Sequence, residues 1–169
     1  MKIIIHSIVF VMCVFANTEI NKDDINGIWE IPEEVEGFIS IGEIFTQGDV
    51  AYAYSFAYAK KVGDGLVPRV LSDENKNANN LKDKIFLSNL EFNGKKWVNG
   101  RIYNPNNNKI YYAEAHLSQD KNTLFIKVSI DSFGIIGVTL EWHRIHDTRY
   151  IPPNHDEIMM IDKLKGIGK

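Results

Sequence analysis

Residues 50–58 read VAYAYSFAY, and this stretch sorts its side chains by size. Every odd position carries alanine or serine, whereas the even positions carry Val50, Tyr52, Tyr54, Phe56 and Tyr58. Successive side chains of a β-strand point to opposite faces of the sheet, while a helix would mix the two sets around its axis. The pattern therefore predicts a strand with one bulky and one nearly smooth face, as in the wall of a barrel.

Seven further segments show strand patterns, and most of them are joined by short turns such as Asn93-Gly94. These predicted strands are Gly27–Ile31, Gly37–Phe45, Ile85–Phe92, Trp97–Tyr103, Ile110–Leu117, Thr123–Ile130 and Ile135–Ile145. Sequential strands with short turns favour an antiparallel up-and-down sheet, and closing that sheet removes its exposed edges. We therefore predict an all-β, antiparallel up-and-down barrel domain of about eight strands over residues 27–146.

Two segments do not follow this alternation. Residues 62–80 combine glycines, a proline and an asparagine-rich run, which predicts a long loop with a short edge segment at Leu66–Leu71. In the C-terminal tail, residues 147–169, Asn154 is followed three residues later by Glu157, a helix N-cap pattern. Apolar residues follow this pair, so we predict a short amphipathic C-terminal helix.

The first sixteen residues predict export and not a part of the fold. Lys2 precedes an apolar run at residues 3–15, and Ala16 supplies a small residue where a signal peptidase would cut. The run is shorter than the roughly 20 apolar residues that cross a bilayer, which makes an uncleaved anchor the less favoured alternative. We expect cleavage near Ala16, a flexible lead-in at residues 17–26, and a protein of the periplasm or the extracellular medium.

Cysteine content and charge limit the chemistry further. Cys13 is the only cysteine and lies in the predicted signal peptide, so the mature chain would contain no disulfide and would depend on core packing. The net charge of −3 provides no basic face, which argues against nucleic-acid binding. No further run is apolar enough to predict a transmembrane segment in the mature chain.

Four residues predict how the barrel closes. Gly27 and Trp29 lie on the first predicted strand, and Trp142 and Arg144 lie on the last, so a closed sheet makes them neighbours. Arg144 is on the apolar face of its strand, where an unpartnered charge is costly. Placing the guanidinium on an indole, in a cation–π contact of about 0.5–2 kcal/mol, and giving its donors to backbone carbonyls would solve this. The alternative is that Arg144 binds an anionic ligand inside the barrel.

These residues resemble known barrel families. Gly27-Ile28-Trp29 with an arginine at the end of the last strand resembles the lipocalin and calycin signature. More closely, residues 25–146 resemble the bacterial secreted family catalogued as domain of unknown function 2147. That resemblance rests on Gly27-Ile28-Trp29, residues 97–105 (WVNGRIYNP), Lys109, Tyr111, Gly137 and residues 142–144 (WHR). Asn108 replaces the usual glycine of one turn, and asparagine adopts the same conformation. The resemblance implies a lipocalin-like barrel of unassigned function and no catalytic residues.

The size-sorted strand also suggests a ligand. If its small residues face inward they leave room for a guest, and if its bulky residues face inward they fill the barrel or form an aromatic pocket. The pattern alone leaves both orientations open. The candidate cavity-lining residues are Tyr52, Tyr54, Phe56, Tyr58, Trp97, Tyr103 and Tyr111.

Other polar groups suggest no catalytic or metal site. His143 and His146 would face opposite sides of a strand, and with His155 they do not form a metal-binding pattern. Glu114 and His116 share a face, which is typical of a solvent-exposed pair and only weakly indicates acid–base catalysis. No nucleophile-elbow, phosphate-loop or metalloprotease motif occurs. We therefore predict no catalytic residue, no metal and no cofactor.

The sequence thus favours an exported lipocalin-like module that binds a small apolar or amphipathic molecule and is not an enzyme. The alternative is a non-catalytic structural or envelope-interaction protein with a packed barrel. A hydrolase built on Glu114 and His116 is the least favoured interpretation.

Overall fold

A computed structural model describes residues 19–32, 38–63, 65–69 and 84–165. Within these ranges the chain forms ten strands and three short 3₁₀ turns, at Lys22–Ile25, His155–Glu157 and Asp162–Leu164. The strands are β1 (Gly27–Pro32), β2 (Phe38–Gln47), β3 (Val50–Val62), β4 (Gly65–Arg69), β5 (Lys84–Phe92), β6 (Trp97–Asn104), β7 (Lys109–Leu117), β8 (Thr123–Ser129), β9 (Gly137–Ile145) and β10 (Met159–Met160).

Eight of these strands form a closed antiparallel barrel. They pair in the order β5-β6-β7-β8-β9-β1-β2-β3, and β3 pairs back to β5. The first and last barrel strands are neighbours, with Trp29 of β1 opposite Arg144 of β9. The predicted eight-stranded up-and-down barrel is confirmed.

The two remaining strands extend the barrel wall. The first part of β3 pairs with β5, and its last part, Tyr58 to Val62, pairs with β4. The strand β4 covers most of the predicted edge segment at Leu66–Leu71. The other predicted features of residues 70–80, and the predicted signal peptide at residues 1–16, lie outside the described residues.

The N-terminal lead-in is more ordered than its polar sequence predicts. Asn21 caps the turn Lys22–Ile25 by accepting a hydrogen bond from Asp23 N at 3.0 Å, and Asp24 accepts in return from Asn21 N at 2.8 Å. Ile25 is completely buried against the barrel interior. The buried Ile25 side chain holds the lead-in over one end of the barrel.

The prediction of a C-terminal helix is wrong. Asn154 does act as an N-cap, because its side chain accepts from Asp156 N at 3.3 Å, but the turn that it starts spans only His155–Glu157. The next residues, Met159–Met160, extend and pair in parallel with the beginning of β5. A short helix depends on tertiary packing for its stability, and here pairing with the barrel provides the competing contact.

A β-bulge interrupts the alternation of inward and outward side chains in the middle of residues 50–58 of β3. Ile41 pairs with Ala57 and Gly42 pairs with Ser55, so Phe56 is an extra residue on its strand. Such an extra residue shifts the inward–outward alternation by one position. The bulky side chains of residues 50–58 therefore do not share one face along the whole strand.

Apolar side chains form two clusters, one inside the barrel and one on its outer face. The interior cluster contains the three indoles together with small residues such as Ala51 and Ala53 of β3. The outer cluster lies on β2 and β3 beneath the C-terminal segment, residues 147–165, and its buried members are Ile39, Ile41, Tyr54, Phe56, Ala59, Ile85 and Tyr150.

Candidate functional site

Arg144 holds the N-terminal turn against one end of the barrel, which we call the closed end. Its Nε donates to Lys121 O at 2.8 Å, and its two terminal nitrogens donate to Asn26 O and Asp24 O, each at 2.6 Å. The guanidinium carbon lies 4.2 Å from the centroid of the Trp29 ring. Burial lowers the pKa of Arg144 and the Asp24 carboxylate opposes that shift, but arginine stays charged in proteins.

Two further features complete the closed end. Asp24 pairs with Lys121 at 2.7 Å. Burial alone would raise the pKa of Asp24, but a backbone hydrogen bond within the turn and the Lys121 ammonium hold it below its ordinary value. Gly27 has φ of +138°, and a Cβ atom there would lie 2.4 Å from Nη1 of Arg144. Glycine is therefore required for the guanidinium to cross the start of β1.

Two of the three indoles are tied to this closed end. Trp29 Nε1 donates to Ile25 O at 3.0 Å, and Trp97 Nε1 donates to Lys22 O at 3.3 Å. Both side chains are at most 1% exposed, so they fill the closed half of the interior. Trp97, a predicted cavity-lining residue, is therefore a core residue that anchors the N-terminal turn.

Trp142 differs from the other two indoles. It lies one inward position deeper than Arg144 on β9, and its ring contacts Phe86 at a centroid distance of 6.1 Å. Its side chain is 1% exposed, yet Nε1 has no hydrogen-bond acceptor in the described part of the chain. A buried donor without an acceptor costs about 1–3 kcal/mol.

Most of the bulky residues of β3 face outward, which corrects their prediction as cavity lining. Tyr54 and Phe56 are buried in the outer cluster, and Tyr52 packs against it. The inward positions of the same part of β3 carry Ala51 and Ala53, which belong to the interior cluster. The interior is already occupied by indoles, so only small side chains fit on this wall, and the bulky face is buried by the C-terminal segment instead.

A single residue of that segment organises the outer contact. His155 stacks on Phe45 with ring centroids 4.1 Å apart, and its Nε2 lies 3.0 Å from Oε2 of Glu43. Tyr54 donates its hydroxyl hydrogen to the same carboxylate oxygen of Glu43. The aromatic face of β3 therefore serves to fasten the C-terminal segment to the barrel.

The three remaining predicted lining residues divide between the two faces. Tyr58 pairs with Ser40, which pairs with the interior residue Ile31, so Tyr58 is on the inner face beyond the bulge. Tyr111 also packs against the interior cluster. Tyr103 follows the interior residue Ile102 on β6 and therefore points to the outer face. It is not a lining residue.

Inward side chains near the other end of the barrel, which we call the mouth, are less completely buried. Tyr111, Val128 and Leu140 pack against the interior cluster but remain partly exposed. They lie on β7, β8 and β9, each of which pairs with a strand on both sides. Solvent therefore reaches them at the open end of the barrel, and the mouth half is the candidate binding site.

Two interior residues were not predicted as lining residues, although the alternation of their strands indicates their inward orientation. Ile31 lies on the face of β1 already assigned to Gly27 and Trp29, and Leu140 lies on the face of β9 assigned to Trp142 and Arg144. Extending the alternation away from those residues identifies both. Aromatic character misled the selection, because it does not distinguish an inner from an outer face.

Two surface grooves lie elsewhere. One, of about 740 Å³, is beside the N-terminal turn and is lined mainly by polar residues such as Glu19 and Asp49. The other, of about 110 Å³, lies on the outer face of β6 to β8, between Arg101 and Lys127. Neither groove is lined by the bulky residues of β3.

The polar residues considered for catalysis or metal binding lie apart from one another. Glu114 pairs with Lys96 at 2.5 Å, whereas His116 stacks on Phe125 at 4.8 Å. His146 Nε2 lies 3.2 Å from Asn122 Oδ1, whereas His155 contacts Phe45 and Glu43. Within the described ranges no three His, Cys, Asp or Glu side chains are placed to hold a metal ion. No helix of the same residues is long and apolar enough to cross a membrane.

Comparison with known proteins agrees with this architecture. A solved structure described as "Protein HP1028 from the human pathogen Helicobacter pylori belongs to the lipocalin family" is similar to this chain, with a TM-score of 0.60 and 25% sequence identity. The alignment covers 79% of this chain and 94% of that one. The closed eight-stranded barrel is thus lipocalin-like in its fold.

The family of the chain follows from a second comparison. The protein belongs to the family described as "Uncharacterized protein conserved in bacteria (DUF2147)", which matches residues 27–144. This range spans the eight barrel strands and ends at Arg144. No curated protein matches the chain.

Proposed function

We propose that the protein is an exported, non-enzymatic binding module that takes a small amphipathic molecule into the mouth half of its barrel. The observation that carries this proposal is the partial exposure of Tyr111, Val128 and Leu140, whose side chains point inward from strands paired on both sides. Apolar side chains left accessible inside a barrel favour a guest that removes them from water.

The chemistry of the lining indicates what kind of guest fits. The walls of the mouth half are mostly apolar, so the body of the molecule is apolar. Trp142 is the next inward residue after Leu140 on β9, and its Nε1 is a buried donor without an acceptor in the described part of the chain. A carbonyl, hydroxyl or ether oxygen on the guest would satisfy it. Ser40 and Ser55 are already hydrogen-bonded to each other and add little polarity.

Export rests on the N-terminal sequence. The charged residue, apolar run and small residues of positions 1–16 support a cleaved signal peptide and a location in the periplasm or outside the cell. A cysteine-free mature chain suits either compartment, because its stability does not depend on redox conditions.

A packed, structural barrel is the second candidate, and one observation favours it. Three indoles occupy the interior, and two of them are bonded to the N-terminal turn. If the mouth half closes over the remaining space, the barrel would act only through its outer surface.

Binding of an amphipathic fluorophore distinguishes the two candidates. Anilinonaphthalene sulfonate should bind the parent protein at one saturable site. Leu140→Trp places a large ring on the inward face and should weaken binding by roughly tenfold or more, because the added volume occupies the space of the guest. Glu141→Trp adds the same ring on the exposed outer face of the same strand and should bind as the parent does.

Native mass spectrometry of protein purified from its own host complements this titration, since a retained molecule would add a discrete mass. Equal fluorophore binding by the parent and by both folded variants, with no added mass, would overturn the proposal and leave the packed barrel.

A further inference from the structure

Exposed apolar side chains are concentrated in one loop. Residues 130–138 comprise the connection between β8 and β9 at the mouth and the first two residues of β9, and we call them the apolar loop. They expose Ile130 (61%), Phe133 (85%), Ile135 (80%), Ile136 (61%) and Val138 (62%). The other large apolar side chains exposed in the described part of the chain are Val62, Val67 and Ile151. Scattered exposed apolar residues are ordinary, but five within nine consecutive residues mark an interaction surface.

The apolar loop is held in an ordered conformation by its own carboxylate. Asp131 accepts hydrogen bonds from Phe133 N and Ile135 N at 3.0 Å each and from Ile136 N at 2.8 Å. Ser129 Oγ donates to the Asp131 carbonyl at 2.9 Å. Because the backbone is fixed, the apolar side chains cannot collapse onto the barrel and remain presented to solvent.

Two cations lie beside the apolar loop without a carboxylate partner in the described residues. Arg101 stacks 4.1 Å over the ring of Tyr112 and uses one terminal nitrogen for backbone carbonyls. Lys127 crosses beneath Gly134 of the loop, at 3.4 Å from where a Cβ would be. Glu114 faces Lys127 across the strand pair but gives its carboxylate to Lys96. Glu114 also lines the 110 Å³ groove between Arg101 and Lys127, but because Lys96 pairs with Glu114, positive charges outnumber negative ones there.

We propose that the apolar loop is a membrane-docking surface, which inserts Phe133 and Ile135 among lipid chains while Arg101 and Lys127 contact anionic headgroups. Apolar side chains beside cations match the layered chemistry of a bilayer surface, where acyl chains lie beneath charged phosphates. Phe133 and Ile135 are the most exposed of these side chains and are accessible to an apolar layer. A protein partner would need a matching groove. Val138 pairs with the lining residue Val128, so the apolar loop adjoins the binding site in the mouth. Docking through Phe133 and Ile135 does not require a bound guest, so the inference does not depend on the proposed function.

A fluorescent substitution at the tip tests insertion directly. Phe133→Trp adds an indole to the loop, and Ile151→Trp adds one at another exposed apolar position, in the C-terminal segment. Vesicles of phosphatidylcholine and phosphatidylglycerol in equal parts, with brominated acyl chains, should shift the emission of Phe133→Trp to the blue and quench it. Ile151→Trp should show neither change, and because the reporter is local, any binding through the N-terminal apolar run is distinguished.

Affinity variants separate the apolar and ionic contributions. Phe133→Ser and Ile135→Ser should each weaken vesicle binding roughly tenfold, and Ile151→Ser should not. Arg101→Gln and Lys127→Gln should each weaken binding about fivefold on the mixed vesicles and little on phosphatidylcholine alone. Circular dichroism checks that all variants fold.

Three outcomes would overturn the proposal: no shift or quenching of Phe133→Trp on either vesicle, equal responses from Phe133→Trp and Ile151→Trp, or a concentration-dependent blue shift without vesicles. The last result would assign the apolar loop to contact between two copies of this chain.

Discussion

The two ends of the barrel differ in how completely their side chains are paired or buried. At the closed end, Arg144 shares its donors among three backbone carbonyls and stacks on Trp29, and the N-terminal turn covers the interior. At the mouth, inward side chains such as Leu140 remain partly exposed, and the apolar loop stands in solvent. The donors of Arg144 at the closed end are paired within the protein, whereas apolar side chains at the mouth remain exposed to solvent.

This difference indicates where stability and function are located. A residue whose polar atoms are all paired contributes to folding, whereas unpaired apolar surface and an unpaired buried donor are available for a partner. The same contrast exists between indoles of the same core: Trp29 bonds to Ile25 O, and Trp142 has no acceptor in the described residues. The division between ends can be tested by weakening each in turn.

Removing the arginine should have the largest effect. Arg144→Ala should lower the free energy of unfolding by about 3 kcal/mol, because three backbone hydrogen bonds of about 1 kcal/mol each are lost. Urea denaturation followed by tryptophan fluorescence measures the change. Arg149→Ala is the matched control, since its guanidinium is exposed where it pairs with Asp147 and donates to Leu66 O at 3.3 Å, and its loss should change stability little.

The opposite result would reassign the closed end. If Arg144→Ala unfolds at the same urea concentration as the parent and instead loses a bound molecule, Arg144 is a ligand-binding residue and the closure is held by other contacts.

The two indoles should respond differently to the same substitution. Trp29→Phe should lose about 1 kcal/mol more stability than Trp142→Phe, because only Trp29 gives up a hydrogen bond and leaves a carbonyl unpaired. Both changes remove similar volume from the core, so the cavity contributions largely cancel. Thermal unfolding of the two purified variants measures the difference, and equal losses would show that the Trp142 donor has an acceptor after all.

The smallest effect concerns the apolar loop and its response to pH. Hydrogen bonds from backbone N–H groups, first that of Ile136, hold the pKa of Asp131 below its ordinary value of 3.8. The contribution of this carboxylate is therefore complete above pH 3.8 and is lost as the pH falls through the lower pKa of the folded state. In an NMR titration, the amide resonances of Phe133, Ile135 and Ile136 should move together with a midpoint below 3.8.

Asp131→Asn is the control for this titration, because an amide does not ionise and the common midpoint should disappear. A midpoint at or above 3.8 would show that the loop is not held by the ionised carboxylate.

Much of the barrel could be predicted because each strand is indicated by the residues of its own segment. Alternation places β1, β2 and the five strands from β5 to β9 within a few positions of their observed ends, and turn residues separate most of them. The contact of Trp29 with Arg144 also follows from local facts, since a charge on an apolar face requires a partner and closure makes the first and last strands neighbours.

The candidate site was harder to predict, because its residues depend on pairing. The bulge at Phe56 arises from the register between β2 and β3, and it moves Tyr58 to the inner face while Tyr54 stays outside. Likewise, the C-terminal segment is extended where it meets β5, although its sequence has a helix cap. Neither effect is visible in the alternation of one segment.

The amino-acid sequence by itself determined the all-β architecture, the strand positions and the residues that meet at the closed end, because period-two alternation and the cost of a buried charge act on each segment directly. Only the tertiary structure decided which face of β3 became the interior. Both faces of that strand are apolar, and the choice depends on three indoles arriving from β1, β6 and β9 to occupy the inside, which leaves the bulky side chains of β3 to be buried beneath the C-terminal segment.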